Sequence, residues 1–201
     1  MRAYTPKAQA TREKILQAAN DLFYQHGFNA TGIDRIIAAA GVAKGNFFYH
    51  FKSKEALATA VLDWHRDLAF AEIGLRQILA EPSPGKALLL LLGRMASRMS
   101  CGVDGCHIRG CFFGNFALEL SNGSEPVRRK VQEIFDGIRA LIRDLIEKAQ
   151  AKGEVRADLD AEKTAGLLLS LMEGAVLLDK THQQGTEVQA AQAFIASYLG
   201  L

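Results

Sequence analysis

Apolar residues recur every three or four positions along almost the whole chain, and no segment alternates apolar and polar residues as a β-strand would. This pattern predicts an all-α fold. The expected helices cover about residues 11–26, 31–40, 43–51, 53–79, 84–99, 112–121, 124–152, 160–178 and 188–199. Thr11 and Ser53 are the expected N-caps of the first and fourth helices, because a hydroxyl at that position accepts a hydrogen bond from a free backbone N–H.

Residues 31–54 are the most informative stretch. Two short helical patterns meet at Gly41, and the second presents Lys44, Asn46, Tyr49 and His50 away from its apolar positions. Cationic, amide and aromatic polar groups on a short helix after a tight glycine turn are typical of a helix-turn-helix that enters the DNA major groove. The sequence predicts a helix-turn-helix domain over residues 8–56, with its motif at about 31–51, and a second helical domain over residues 57–201.

Positive charge is concentrated in the N-terminal part of the chain. Residues 1–54 hold eight Lys or Arg against three Asp or Glu, a net +5, whereas the remainder carries a net −3. A basic segment on a mildly acidic protein indicates a polyanionic partner for that segment. No signal peptide is recognisable, and no apolar run approaches the roughly 20 residues that a membrane span requires. We expect a soluble cytoplasmic protein with no membrane partner.

The residues from Thr11 to Leu57 resemble the DNA-binding domain of the TetR/AcrR family of transcriptional regulators. The resemblance is carried by Ile15–Ala19, Phe23, Gly27–Phe28, Ala30–Thr31, Ile36–Val42, Lys44–Gly45 and His50–Leu57. It keeps its register through four helices, which makes it specific. It implies an all-α dimer with a variable ligand-binding domain, which represses nearby genes until a small molecule binds.

Roles at the DNA follow residue by residue from this resemblance. The expected DNA-binding set is Thr31, Arg35, Lys44, Gly45, Asn46, Phe47, Tyr49, His50 and Lys54. Its Thr31 hydroxyl and its Lys and His members are expected to contact phosphates, which set the register on a palindromic double-stranded operator. Gly45 lets the backbone approach the DNA, and Asn46 can pair with an adenine edge. Ala43 and Phe48 depart from the family pattern, which usually has a capping Ser or Thr and a phosphate-binding Tyr there.

A heptad seam runs through residues 127–145, where apolar side chains are spaced 4, 3, 4, 3, 4. The helix that contains residues 165–178 is apolar nearly all round and must be enclosed on most sides. Together they predict a four-helix interface between two copies of the chain, with an ordinary intramolecular core as the alternative. The expected interface residues are Val127, Val131, Ile134, Ile138, Leu141, Leu145, Leu167, Leu171, Gly174 and Leu178.

An effector pocket in the C-terminal domain is implied by the resemblance. Its expected lining is Trp64, Phe70, Met95, Met99, Phe112, Phe113, Asn115, Phe116 and Glu173. Glu173 stands out, because a carboxylate within an apolar helix requires a partner. Arg94, Arg98, a ligand cation or amine, and a residue across the dimer are the candidates.

Three cysteines lie close together, and their odd number argues against a disulfide framework. A metal site of Cys101, Cys106, His107 and Cys111 has wider spacing than the usual zinc knuckle, so no metal is predicted. Arg109 or His107 could lower a thiol pKa, which makes Cys106 or Cys111 a candidate reactive thiol. Cysteines that line a core or pocket as small apolar residues are the third interpretation.

The sequence therefore predicts a dimeric transcriptional repressor that an unknown small-molecule effector releases from its operator. One alternative is a repressor that senses oxidants or electrophiles through cysteine. Another is a small-molecule-binding or catalytic helical protein with a vestigial DNA-binding domain. No phosphate loop, nucleophile elbow or paired acid and base appears in the chain. We therefore predict neither an enzyme nor a cofactor.

Overall fold

The computed structural model of the chain describes residues 5–100 and 107–201. Every regular element within these ranges is an α-helix, so the predicted all-α fold is confirmed. The helices are α1 (Pro6–His26), α2 (Ile33–Ala40), α3 (Lys44–His50), α4 (Lys54–Glu72), α5 (Leu75–Leu79), α6 (Pro84–Ser100), α7 (Phe112–Leu120), α8 (Glu125–Ala151), α9 (Ala161–His182) and α10 (Thr186–Leu199). Within the described ranges, no helix is both long enough and apolar enough to cross a membrane.

The first helix begins earlier than the sequence predicts. Thr5, not Thr11, is its N-cap: the Thr5 hydroxyl accepts a hydrogen bond from Ala8 N–H at 3.3 Å, and Pro6 is the first helical residue. Proline suits this position, because its missing N–H would have no partner at a helix start. The Thr11 hydroxyl instead donates to the Lys7 carbonyl at 3.0 Å, one turn back in the same helix.

The fourth helix ends at Glu72 rather than at Leu79. Gly74 has φ +66°, a left-handed conformation that stops α4 and starts the short α5. The Arg94 guanidinium donates to the Ile73 carbonyl at 2.9 Å and so satisfies an acceptor that the break releases. An isolated glycine inside a helical pattern does not reveal such a break by itself, because helices tolerate one glycine.

Two helix starts that the sequence predicts are confirmed. The Ser53 hydroxyl accepts a hydrogen bond from Ala56 N–H at 3.1 Å, directly before α4. The Asp160 carboxylate accepts one from Lys163 N–H at 3.0 Å and caps α9. Both side chains satisfy an N–H that the helix itself leaves unbonded.

The chain divides into two compact units. The first unit contains Met1–Leu68 and Asn115–Gln132, and the second contains Ala69–Gly114 and Glu133–Leu201. The division falls within α4, α7 and α8, so each of these helices contributes residues to both units. The sequence interpretation, which places one boundary after residue 56, did not anticipate that the segment 115–132 belongs with the N-terminal helices.

In the first unit, α1 packs against α2 and α3. The largest fully buried side chains of this region are Ile15, Leu16, Ile36, Phe47, Leu57 and Leu62. A buried polar pair joins α1 to α4: His65 Nδ1 and Asn20 Oδ1 lie 2.6 Å apart. Because each group satisfies the other away from water, the pair is compatible with an otherwise apolar core.

In the second unit, α9 packs against α6 and α10. The buried carboxylate of Asp179 on α9 accepts hydrogen bonds from Glu187 N–H at 2.9 Å and Val188 N–H at 3.0 Å. These two N–H groups belong to the first turn of α10, whose N-cap, Gly185, has no side chain to receive them. Asp179 therefore fixes where α10 starts, as an N-cap residue supplied by a neighbouring helix.

Five of the six residues in the heptad seam of α8 are core of a single chain, so their predicted place in the dimer interface is wrong. The buried members of the seam are Val127, Val131, Ile134, Ile138 and Leu145, and Leu141 is half-buried. A heptad pattern reports that one helix face is covered, and it does not tell whether the covering helix comes from the same chain. For these five residues the alternative of an intramolecular core is correct, and the place of Leu141 in the interface stays a prediction.

Candidate nucleic-acid interface

The short helix α3, which we call the recognition helix, is positioned by a turn and two phenylalanines. Gly41 adopts φ +63° and ψ +36°, the left-handed conformation that ends α2 and reverses the chain. Ala43 is the N-cap of α3 and offers no side-chain hydrogen bond, as its departure from the family pattern predicts. Phe47 and Phe51 are buried beneath the recognition helix. Apolar anchoring thus replaces the missing cap in fixing α3.

Phe47 itself is not a DNA contact. Its side chain is fully buried, and its ring packs edge-on to Phe48 at a centroid distance of 5.2 Å. The assignment of Phe47 to the DNA-binding set is therefore wrong, because it lies on the face of α3 that carries the core. Its role is the anchoring role that its four-residue spacing from Phe51 indicates.

Thr31 is also not a phosphate contact. The residue is fully buried, and its hydroxyl donates to the carbonyls of Gly27 at 2.7 Å and Leu22 at 3.3 Å. The predicted phosphate contact is wrong, because this hydroxyl is used to close the connection between α1 and α2. Nor does Thr31 start α2, which begins at Ile33 after an extended Gly32.

Two basic residues of the predicted set have protein partners. Lys44 Nζ lies 3.0 Å from Asp34 Oδ1, in an ion pair whose two side chains are largely exposed. Arg35 and His26 share a hydrogen bond of 2.8 Å between the guanidinium and Nε2. Exposed pairs of this kind contribute little to stability and can exchange partners. Both cations are therefore available to phosphates, although Asp34 places a negative charge beside Lys44 that the sequence interpretation did not weigh.

Other predicted contacts lie on the exposed face of the recognition helix. Gly45 and Asn46 are exposed, and a Cβ added at Gly45 would meet no atom of the described residues within 4 Å beyond its own helix backbone. Phe48 and Tyr49 are 37% and 52% exposed, which leaves both rings able to meet a large ligand. The protein itself thus gives no steric reason for a glycine at position 45.

His50 is partly enclosed at the C-terminal end of α3. Its ring packs edge-on to Tyr49 at a centroid distance of 5.0 Å. Burial, and secondarily the Arg12 guanidinium, lower the pKa of the His50 imidazole. A neutral imidazole can still hydrogen-bond a phosphate, but it adds no positive charge to the interface.

Lys54, the last of the predicted DNA contacts, lies over the ring of Phe28, with Nζ 4.1 Å from the ring centroid. Burial lowers the pKa of the Lys54 ammonium, and the carboxylates of Glu55 and Glu119 act in the opposite direction. Glu119 comes from α7, far along the chain, and sequence reasoning missed it. The only available signal was its position one turn after Phe116, on the same side of a predicted helix.

The predicted effector-pocket residues do not belong to one compact unit. Trp64, Asn115 and Phe116 are part of the first unit, and the other six belong to the second. Phe116 is buried within the first unit, and its place in the pocket lining stays a prediction. Its ring packs edge-on against Phe23 and Phe28, at centroid distances of 5.6 and 6.0 Å. A groove of about 360 Å³ in the second unit contains none of the predicted nine residues and is lined by Leu89, Leu92, Gly93, Gln189, Gln192, Ala193, Ile195 and Ala196.

Glu173 has a partner that the sequence did not indicate. Its carboxylate is hydrogen-bonded to the buried thiol of Cys111, whereas Arg94 binds the Ile73 carbonyl and Arg98 pairs with Glu72 at 2.6 Å. Burial raises the pKa of Glu173, and the hydrogen bond from Cys111 acts in the opposite direction.

The surroundings of Cys111 disfavour a reactive thiol. Burial, followed by the charge of Glu173, raises the pKa of its thiol well above the ordinary value. Since the thiolate is the nucleophile, this environment suppresses reactivity. Cys101 and Cys106 lie outside the described residues. No group of three or more possible metal ligands occurs among residues 5–100 and 107–201.

The exposed part of the predicted dimer interface lies on α9. Leu167 and Leu178 are 49% and 47% exposed, Gly174 is exposed, and Leu171 is half-buried. Their spacing of 4, 3 and 4 residues places all four on one face of the helix. This apolar stripe is accessible in the single chain, in contrast to the seam of α8.

A glycine turn, a recognition helix anchored by two phenylalanines, and an outward face of ammonium, amide and phenol groups define a helix-turn-helix DNA-binding protein. The comparisons with known proteins identify the family of DNA-binding proteins to which the chain belongs. Residues 15–61 match the model of the "bacterial regulatory proteins, tetR family", and residues 93–195 match the "tetracyclin repressor-like, C-terminal domain". The chain belongs to the TetR family of transcriptional regulators.

Individual relatives agree with this assignment over most of the chain. The HTH-type transcriptional repressor DhaR of Mycobacterium sp. (strain GP1) is 29% identical over 83% of this chain and 80% of its own length. The uncharacterized HTH-type transcriptional regulator YxaF of Bacillus subtilis (strain 168) is 30% identical over 86% and 85%. The crystal structure of a TetR transcriptional regulator from Chloroflexus aurantiacus J-10-FL superposes with a TM-score of 0.84 at 30% identity, over 98% of this chain and 97% of that one.

The family assignment decides between the classes of function that the sequence left open. TetR-family proteins are non-enzymatic regulators that bind operator DNA and act as dimers. The alternative of a catalytic helical protein with a vestigial DNA-binding domain is therefore set aside. This chain is a transcriptional regulator with a DNA-binding helix-turn-helix.

Proposed function

We propose that this regulator is a dimeric repressor that leaves a palindromic operator when a small molecule binds its second unit. The observation that carries the proposal is the apolar stripe of α9, formed by Leu167, Leu171, Gly174 and Leu178. Two leucines of this stripe are about half exposed in the single chain. Such a stripe on an otherwise well-packed helix favours a partner helix over water.

Gly174 supports the same conclusion. Apart from its own helix backbone, a Cβ at this position would meet no atom of the described residues within 4 Å, so packing among those residues does not require a small side chain here. A glycine between exposed leucines lets a second helix approach closely. A twofold axis beside α9 would bring the same stripe of a second copy onto it, as an isologous interface requires.

Operator binding gives a functional reason for two copies. The recognition helix has seven residues, and a single module of that size contacts few base edges. Two modules on a twofold axis read half-sites about 34 Å apart, one turn of DNA. The name of the relative DhaR, a transcriptional repressor, supports repression as the mode of action.

The dimer proposal is tested by placing charges on the stripe. Leu167→Glu and Leu178→Glu together should give a folded monomer by sedimentation and circular dichroism, with specific DNA binding lost. Leu118→Glu is the matched control, since Leu118 on α7 is 75% exposed and lies outside the stripe. A double variant that sediments like the wild type would refute the interface.

We propose that release by an effector acts through α4. The helix α4 begins in the first unit and ends in the second. A ligand that shifts the second unit would therefore move α4 and change the separation of the two recognition helices, and a shift of a few ångströms is enough to prevent simultaneous docking at fixed half-sites.

The experiment is selection of bound duplexes from a random pool, followed by a screen for compounds that release the selected duplex. The variants Glu173→Ala and Gln192→Ala then show where the effector binds: at the predicted pocket lining, which includes Glu173, or in the groove between α6 and α10, which includes Gln192. Loss of response in the first supports the predicted lining, and loss in the second supports the groove. If no compound changes operator affinity at saturation of the protein, the proposed release is wrong.

A cysteine-based sensor remains the second candidate through Cys106 alone, since Cys111 is buried with a raised thiol pKa. Replacement of all three cysteines by Ser separates the two mechanisms. Release by a non-reactive compound that persists in this variant eliminates the thiol switch.

A further inference from the structure

The carboxylate of Glu119 holds the connection between α1 and α2. Its Oε2 accepts a hydrogen bond from Asn29 N–H at 2.9 Å, and its Oε1 accepts one from Phe28 N–H at 3.2 Å. Glu119 follows these residues by about ninety positions, and all three belong to the first unit. A carboxylate that receives two backbone N–H groups makes charge-assisted bonds that are stronger than neutral ones.

The connection is shaped to receive this side chain. Gly27 has φ +80°, and a Cβ at Gly27 would lie 2.6 Å from Glu119 Oε1. Thr31 closes the other side, because its hydroxyl donates to the Gly27 carbonyl and its N–H donates to the Phe28 carbonyl at 3.1 Å. The short run that leads into α2 is thereby fixed at both of its ends.

The same turn of α7 also supplies apolar support. Phe116 lies three residues before Glu119 and packs on the rings of Phe23 and Phe28. Lys54 Nζ also lies over the ring of Phe28, 4.1 Å from its centroid. The ring of Phe28 and the N–H of Phe28 are thus both held by the last two turns of α7.

We propose that Glu119 is a positioning residue for DNA binding, which sets the start of α2 and through it the orientation of the recognition helix. Since α2 packs on α3, a loose entry into α2 would loosen the face that reads bases. Non-specific binding depends on charge near the phosphates and tolerates such loosening, whereas direct readout requires fixed hydrogen-bond geometry. Specific DNA binding therefore depends on a residue outside the segment 8–56 to which the sequence assigns it.

The test uses the full chain and the duplex recovered from the random pool. Glu119→Ala should lower affinity for that duplex by about tenfold or more, on the scale of losing charge-assisted hydrogen bonds. Affinity for a scrambled duplex at the same salt should change by less than about twofold. Glu119→Gln keeps one acceptor oxygen and should recover part of the loss. Leu118→Ala, on the exposed side of the same helix, is the matched control and should bind both duplexes as the wild type does.

Two further measurements separate a local effect at the connection between α1 and α2 from a loss of folding or of dimerisation. Amide hydrogen exchange should show faster exchange at Phe28 and Asn29 in Glu119→Gln, a variant that preserves side-chain volume if Glu119→Ala fails to fold. Sedimentation should remain that of the wild type, so that a failure of the dimer proposal is recognised separately. If affinity for the selected and the scrambled duplex falls equally, Glu119 stabilises the protein in general and does not position the recognition helix. If both Glu119 variants bind with wild-type affinity, the inference is overturned.

Discussion

Lys44 and Asp34 form an ion pair of 3.0 Å between the first turn of the recognition helix and the first turn of α2. Both side chains are largely exposed, so the pair adds little to the stability of the free protein. Its position matters more than its energy, because it puts one cation and one anion on the surface that we propose faces the DNA backbone. DNA phosphates then compete with Asp34 for the same ammonium group.

Lys44→Ala should weaken binding to duplexes of every sequence and reduce the slope of log affinity against log salt by about 1, since one phosphate contact is lost. Asp34→Asn should act in the opposite direction, with a gain of up to about 1 kcal/mol, because the phosphate no longer competes with a carboxylate. Titrations at several salt concentrations measure both effects. An unchanged slope in Lys44→Ala would exclude Lys44 from the phosphate contacts.

Gly45→Ala distinguishes an effect on protein stability from an effect on DNA affinity. The added Cβ meets nothing within 4 Å, so the free protein should be as stable as the wild type or more stable by about 0.5–1 kcal/mol. Affinity for the selected duplex should nevertheless fall, because the methyl group occupies the space into which the DNA backbone fits. Thermal unfolding and a binding titration are the two measurements.

Gly137→Ala is the matched control for this pair of effects. Gly137 also lies in an exposed part of a helix with open space around its missing Cβ. It should show the same stabilisation with unchanged DNA affinity. If Gly45→Ala binds the duplex as tightly as Gly137→Ala does, the backbone does not approach the DNA at position 45.

The helix-turn-helix was the part of this protein most open to prediction from sequence. Its signals are local: the turn at Gly41, the spacing of Phe47 and Phe51, and the cap at Ser53 all act within a few residues. The role proposed for Glu119 could not be predicted from the sequence, because it depends on the contact between α7 and the connection from α1 to α2, which are about ninety residues apart. The interface prediction for the buried residues of the α8 heptad seam was wrong for a related reason. The local sequence encodes that a helix face is buried, but it does not encode which helix covers that face.

Phe116→Ala should destabilise the protein by about 3–5 kcal/mol, the usual range for truncating a buried phenylalanine. The ring is 3% exposed and contacts two aromatic rings of the first unit. Chemical denaturation measures the change, and Leu118→Ala, at a position that is 75% exposed, should stay within about 0.5 kcal/mol of the wild type. A small effect of Phe116→Ala would place the ring in a site that can empty, as the pocket interpretation requires.

Cys111 should react slowly with thiol reagents in the folded protein. Its thiol is buried and its pKa is raised, so little thiolate is present and access is poor. Alkylation followed by peptide mass spectrometry, with and without denaturant, measures the protection. Glu173→Gln should lower the Cys111 pKa, because the charge of Glu173 is one of the causes that raise it. Rapid labelling of Cys111 in the native wild type would contradict the assignment.

Glu173 should make the stability of the protein depend on pH in the direction opposite to a salt-bridged carboxylate. Its pKa is raised by burial in the folded state, above the ordinary value of 4.5, so the folded protein holds this proton more tightly than the unfolded chain does. As pH rises from 4.5 through the folded pKa, wild-type stability should therefore fall relative to Glu173→Gln, which carries no charge. Urea unfolding of both proteins from pH 4 to pH 8 measures the difference, in which the other titrating groups largely cancel. The relative advantage of the glutamine variant should be smallest at the acidic end, grow with pH and then level off. An advantage that grows as pH falls would mean that the folded state prefers the ionised carboxylate and that burial does not dominate at this site.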